Sequence, residues 1–354
     1  MTESTVDAPV AHIRSPADLI ESIPYLLGFH PVDSVVLAQL REGRGKLGSI
    51  VRADLPSVAE AGPLAVQLAI QCAGRGGDGA VILIYGSADD TPDIKRDVGL
   101  VELIGALLHM VGVQLCDAMS VAAGRWRSYF CTDPECCPAE GSPVAAKPGS
   151  DVAATGAIAG IAPFPDRQAL VRSLELPGSW VAGPMTVALR HAETASVLAA
   201  RRPSTAAAWQ AGTHERFRQA VRRARGGGRP RVRPALTDQQ AARLLVGLVD
   251  IRARDACWQD LDLHCSAEAL AVCWQLAQRS LPPYRSAPLL LLGWVAWRRG
   301  DGALARVAAE RALKDDPGYE AARLLLVAID RGLHPDQLPR LVSRRAHPGH
   351  RRRR

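Results

Sequence analysis

Three cysteines stand within seven residues of this chain: Cys131, then Cys136 and Cys137 side by side, with Asp133 and Glu135 between them. Thiols at such spacing can hold a thiophilic metal, join as a disulfide, or stay reduced as small packing side chains. A tetrahedral zinc would need a fourth ligand, for which Cys116 or a histidine is available. The spacing lacks the paired Cys-x-x-Cys of the strong zinc motifs, and adjacent cysteines seldom both reach one tetrahedral ion. Cys131 could instead pair with Cys136 or Cys137 across a tight loop, whereas a bridge between the neighbours Cys136 and Cys137 would be strained. Reduced thiols are the preferred reading, with no metal and no cofactor assigned. Cys72, Cys257, Cys265 and Cys273 fall in expected helices and read as small core residues.

A second set of polar groups lies in the apolar stretch from Pro24 to Ser34. Gly28 is expected to supply a positive φ or a close backbone approach. Phe29 and its apolar neighbours would plug one end of a sheet, leaving His30, Asp33 and Ser34 as the polar remainder. His30 could act as acid, base or ligand; capping of backbone groups at a strand entry is the preferred reading. A Ser34–His30–Asp33 triad is rejected, because adjacent residues of a strand point to opposite faces. Arg125, Trp126 and Arg127, on a hairpin preceding the cysteines, are the further candidates for a pocket with His30 and Asp33. The glycine-rich run Gly74 to Gly79 precedes a strand rather than following one, so it is no phosphate loop. Asp89 and Asp90 follow that strand, at the end where α/β domains bind ligands, yet they also suit an ordinary helix lead-in.

The elements that must position these residues are readable from periodicity. Ser15–Pro16 starts a short helix that Pro24 should end. Strands are expected over 34–40, 49–55, 80–85, 115–123 and 125–130, with helices over 58–72 and 92–111. The apolar run 80–85 reads as a central strand buried on both faces. This order predicts an α/β or α+β domain on a mixed sheet over 13–150. An all-α domain follows over 151–345, with helices expected over 150–160, 166–175, 183–200, 204–224, 237–252, 264–280, 286–299, 302–315, 318–331 and 335–345. Residues 1–12 and 346–354 read as disordered tails, and 226–234 as a linker.

Residues 286–317 resemble one tetratricopeptide repeat: Gly293, Ala305, Ala312 and Pro317 fall at its small and closing positions, while Ala296 departs from its usual aromatic. A lone repeat must stack on neighbouring helices.

Charge is uneven. The chain carries 43 basic and 36 acidic residues, a net +7, but only four of the basic residues are lysine. Eight arginines lie between Arg216 and Arg233 and six between Arg344 and Arg354, with no acid in either segment. Without those fourteen the remainder stands at −7. Arg229, Arg231 and Arg233 could neutralise phosphates, but stacking aromatics are scarce there. Nucleic acid is therefore weakly supported, and a solvated linker and tail are preferred. Neither a signal peptide nor a membrane span is expected, which points to a cytoplasmic protein with reduced thiols.

Two segments resemble the actinobacterial domain-of-unknown-function family number 4192. The first runs from Ser15-Pro16-Ala17-Asp18-Leu19 through Pro24-Tyr25-Leu26-Leu27-Gly28-Phe29-His30-Pro31 to Asp33-Ser34-Val35-Val36. The second is Arg125-Trp126-Arg127-Ser128-Tyr129 with Cys131, Cys136-Cys137-Pro138 and Gly141. The resemblance implies an intracellular α/β domain with a helical C-terminal part, and no assigned activity. The functional expectation is a non-catalytic protein-binding or scaffold protein with a partner on its helical domain. The alternatives are a small-molecule sensor or enzyme near His30 and Asp33, and an arginine-dependent nucleic-acid binder.

Overall fold

The computed structural model describes residues 12–41, 43, 46–74, 76–87, 90–144, 155, 162–175, 179–224 and 236–341. The N-terminal tail apart from His12, the helix at 150–160 apart from Thr155, the linker 226–234 with Arg229, Arg231 and Arg233, and the tail 346–354 lie outside them. The chain forms two compact units: Met1–Leu170 with Ala328–His334, and Val171–Val327 with Pro335–Arg354.

In the first unit, α1 (Pro16–Leu27) opens on a capping box in which Ser15 Oγ accepts the Asp18 N–H and the Asp18 carboxylate accepts the Ser15 N–H. It does not end at Pro24 as expected. A proline forfeits one helical hydrogen bond, and burial of Ile23, Pro24 and Leu27 outweighs that loss here. The helix closes instead at Gly28, whose φ is 77°.

Six strands follow: β1 (Ser34–Arg41), β2 (Lys46–Asp54), β3 (Gly79–Tyr85), β4 (Gln114–Ala122), β5 (Arg125–Ser128) and the two-residue β6 (Ser142–Pro143). They form one mixed sheet in the order β2-β1-β3-β4-β5-β6, in which β3–β4 is the parallel pair and the other neighbours are antiparallel. The expected order is observed through β5; β6 is too short for periodicity to reveal. Helices α2 (Val58–Ala73) and α3 (Val98–Met110) pack one face through Leu68, Ile104 and Leu108 against Leu37, Ile82 and Ile84. The opposite face is also closed to solvent, with Val36, Leu83 and Met119 at most 1% exposed. Each such side chain contributes about 1.5–3 kcal/mol of burial free energy. β4 turns into β5 through Ala123 and Gly124, at φ 45° and 70°, the two left-handed residues of a type I′ hairpin.

The second unit is helical: α4 (Arg167–Arg172), which the first unit holds up to Leu170, leads into α5 (Ser179–Ala200), α6 (Pro203–Ala224), α7 (Asp238–Gly247), α8 (Ile251–Leu263), α9 (Ala267–Arg279), α10 (Ser286–Arg298), α11 (Gly302–Asp315) and α12 (Glu320–Asp330), whose last residues from Ala328 belong to the first unit. The helix expected over 237–252 closes at Gly247, and α8 was not expected. It starts because the Asp250 carboxylate accepts the N–H groups of Arg252 and Ala253. Of the helix expected over 335–345, the described residues hold one 3-10 turn, Pro335–Gln337. In the α10–α11 hairpin, a Cβ on Gly293 would lie 3.0 Å from Leu325 Cδ2 and 3.2 Å from the Ala305 carbonyl oxygen. The glycine therefore permits the close approach of helices.

Candidate functional site

The cysteine loop is built from both ends of β5 outward. At its entry the Ser128 hydroxyl donates to Asp117 Oδ1 at 2.8 Å and accepts the N–H groups of Phe130 and Cys131 at 3.1 and 3.3 Å. Asp133 then shapes the turn: its carboxylate accepts the Glu135 N–H at 2.9 Å, and its carbonyl accepts the Cys137 N–H at 2.8 Å. At the exit, Arg125 donates from Nε to the Glu140 carbonyl at 2.8 Å and from Nη2 to the Gly141 carbonyl at 2.6 Å. Gly141 has a φ of 77°, and a Cβ there would sit 3.0 Å from both Pro92 Cγ and the Trp126 carbonyl oxygen.

This frame brings the sulfur atoms of Cys131, Cys136 and Cys137 within 4.8 Å of one another. The turn over 134–136 removes the side-to-side alternation that separates neighbours in a strand, so Cys136 and Cys137 converge. Cys136 is exposed, Cys131 half-buried and Cys137 buried. A backbone hydrogen bond at Asp133, followed by the neighbouring thiols, holds Cys131 below its ordinary pKa. Hydrogen bonds with Cys131 and Cys137 push Cys136 up to about 11. Cys116 stands apart on β4, its thiol directed to the Gln114 carbonyl at 3.6 Å.

In the stretch preceding β1, a Cβ on Gly28 would meet nothing within 4 Å, so the glycine serves its left-handed backbone rather than a close contact. Phe29 is buried and bridges to Phe164, with the His30 N–H donating to the Phe164 carbonyl at 3.0 Å. The side chains of His30 and Asp33 are exposed. Ser34 is fully buried; its hydroxyl donates to the Val32 carbonyl at 2.5 Å and accepts Arg52 Nε and Nη2 at 2.9 and 2.6 Å. Arg52 also pairs with Asp54 at 2.7 Å and lies 5.8 Å from the centre of the Phe29 ring. Sequence reasoning missed Arg52, whose role depends on the pairing of β2 with β1 that sets it opposite Val36.

The carboxyl end of β3–β4 gathers several of these segments. The Asp33 N–H donates to the Gly86 carbonyl at 3.4 Å, and the Gly86 N–H to the Val121 carbonyl at 2.9 Å. Trp126 stands in register with Val121 and Ser142. Arg127 Nε and the Tyr85 hydroxyl are buried without a hydrogen-bond partner among the described residues. Among the described residues no hydrogen bond or ion pair joins His30 or Asp33 to Arg125 or Arg127. Asp90 is held within its own loop by the Ser87 N–H and by Arg96 at 3.0 Å; Asp89 lies outside the described residues.

The helical unit carries a cleft of about 410 Å³ lined from α5, α6, α7, the turn before α8 and Tyr284 in the segment before α10. Tyr284 donates to the Glu193 carboxylate at 2.7 Å and Gln210 to the Asp250 carboxylate at 2.6 Å, both within the lining. Trp209, Val197 and Val249 add apolar surface, and among the described residues no arginine or lysine lines the cleft. Sequence reasoning did not find it, because its walls come from segments up to 91 residues apart. Nearby on α6, Arg222 pairs with Glu215 at 2.6 Å and Arg218 with Asp260 at 3.4 Å, so part of the basic run is engaged by the unit's own acids.

A mixed sheet followed by a helical region defines an α+β protein. The chain belongs to the family described as Domain of unknown function (DUF4192), whose model matches residues 16–336. No curated protein and no solved structure matches it. Among the described residues no helix is long and apolar enough to cross a membrane.

Proposed function

We propose that the protein is a non-catalytic binding module whose helical unit receives a partner segment bearing apolar and basic side chains. The observation that carries this reading is the cleft between α5, α6 and α7. Its volume suits a side-chain cluster or small ligand, and two carboxylates with no basic counterpart among the described lining residues favour a cationic occupant. Around it, Val197, Leu198, Val249 and Ile251 are each more than half exposed, an apolar margin of the kind that marks interaction surfaces. The test is fluorescence anisotropy with two labelled peptide series, one of leucine and lysine and one of leucine and glutamate. Preferential binding of the lysine series supports the reading, with Val197→Asp weakening it at least about tenfold and Glu193→Gln abolishing the charge preference. Equal binding of both series, or binding of neither by folded protein, overturns it.

A second reading places a small-molecule site at the carboxyl end of β3–β4. It is favoured by the buried, unpartnered Tyr85 hydroxyl beside the converging Asp33 and Gly86 segments. Native mass spectrometry of the full chain should then show a bound compound that Tyr85→Phe releases; a compound-free spectrum counts against it.

A further inference from the structure

We infer that Cys131, Cys136 and Cys137 form a three-thiolate site for one thiophilic divalent cation of the zinc class, with the fourth coordination position open to solvent. Among the described residues no other three His, Cys, Asp or Glu side chains bring their ligand atoms so close. Zinc–sulfur bonds of about 2.3 Å in a tetrahedron set the sulfurs about 3.8 Å apart. The present limit of 4.8 Å thus asks the widest pair to close by about 1 Å, within the reach of thiol rotation.

Three features make the convergence a built one. The loop is framed from outside the thiols, by Ser128 at its entry and Arg125 at its exit. The Asp133 carbonyl fixes Cys137 through its N–H, so the two adjacent cysteines present their sulfurs to one point. Burial runs from Cys137 inside to Cys136 outside, which leaves an entry path for the ion. Softness selects the cation: three sulfurs favour zinc, cadmium or cobalt over magnesium or calcium. Cys116 keeps its thiol at the Gln114 carbonyl, so the loop itself supplies three ligands and leaves the fourth to water or an incoming donor. On binding, three S–H bonds break, three metal–sulfur bonds form, and three protons leave to solvent; no electrons move. This inference is independent of the cleft in the helical unit.

The test uses the full chain, reduced and stripped of metal by a chelator, titrated with cobalt(II). The expected result is a thiolate-to-cobalt charge-transfer band saturating at one equivalent, with zinc(II) displacing the cobalt. Cys136→Ser, at an exposed position, should keep the fold by circular dichroism and weaken binding at least about 100-fold. Cys131→Ser should do the same, and Cys116→Ser should leave the titration unchanged. A folded, reduced protein without the band overturns the proposal, as does a band that survives Cys131→Ser with Cys136→Ser. A fall in affinity with Cys116→Ser overturns the open fourth position. Freshly purified protein two daltons light and refractory to cobalt, with two of the three sulfurs bridged, assigns the cluster to a disulfide and likewise overturns it.

Discussion

Asp262 and Arg298 form an ion pair at 2.7 Å between two side chains withdrawn from water, at 0% and 3% exposure. Trp294 donates its indole N–H to the same carboxylate at 3.2 Å and lies under the guanidinium, 5.0 Å from ring centre to Arg298 Cζ. The Leu341 N–H completes the carboxylate at 2.6 Å. Removing one partner strands a buried charge, so Asp262→Ala should destabilise the helical unit by about 3–5 kcal/mol. Replacing both, as Asp262→Leu with Arg298→Met, should cost less than either single change. Urea unfolding followed by tryptophan fluorescence measures both; equal losses in the single and double variants would refute this account.

Ser128 is the hinge post of the cysteine loop. Ser128→Ala removes one hydroxyl and strands the Phe130 and Cys131 N–H groups, a local loss of about 1–3 kcal/mol. The readout is thiol alkylation by iodoacetamide. In the unaltered protein Cys137 should react far more slowly than Cys136, and Ser128→Ala should accelerate Cys137 while leaving Cys136 nearly unchanged.

Two glycines with the same φ of 77° separate backbone conformation from steric room. At Gly28 a methyl group meets nothing, so Gly28→Ala should cost about 1 kcal/mol through the left-handed conformation alone. At Gly141 the same strain is joined by contacts at 3.0 Å with Pro92 and Trp126, and Gly141→Ala should cost about 2–4 kcal/mol. Thermal unfolding should rank Gly141→Ala clearly below Gly28→Ala.

Asp301 caps α11 through the Leu304 N–H, while burial pushes its carboxyl up to about 6. The folded state therefore holds a proton that the unfolded chain has already lost above its ordinary value of 3.8. Its contribution to stability is complete below pH 4 and is lost as pH rises through about 6. Asp301→Asn keeps the cap without the titration. The difference in unfolding free energy between variant and parent should shift in favour of the variant between pH 4 and 7, by up to about 3 kcal/mol. A flat difference across that range would show that Asp301 does not titrate between the two states.

What was legible in the chain followed from local rules. Ser15–Pro16 announced α1, the apolar run around Ile82 announced a strand buried on both faces, and the two later strands were expected to join near Gly124, where the turn also takes in Ala123. Of the two roles expected for Gly28, the positive φ is the one found, and the close approach is not. Less legible was anything settled by tertiary balance. Pro24 reads as a stop until the burial of Ile23 and Leu27 is known. Asp250 starts α8 inside a stretch whose polar residues masked the break after Gly247. Arg52 gains its role only when β2 is laid against β1 and its guanidinium falls on the Ser34 hydroxyl. The thiols read as reduced packing groups because adjacent cysteines seldom reach one ion; the turn over 134–136, which brings their sulfurs together, is not visible in the spacing.

The first unit is not continuous in sequence. It takes residues 1–170 and then reclaims Ala328–His334, where the Asp330 carbonyl accepts the side-chain amides of Gln67 and Gln71. During synthesis the mixed sheet can emerge from the ribosome well before this strip, while α2 waits for an acceptor at Asp330 that is translated much later. At about 5–20 residues per second, that interval lasts on the order of ten seconds or more. A nascent chain paused before residue 328 should therefore present α2 with the Gln71 side chain, 5% exposed in the finished protein, still open to solvent and without its Asp330 acceptor.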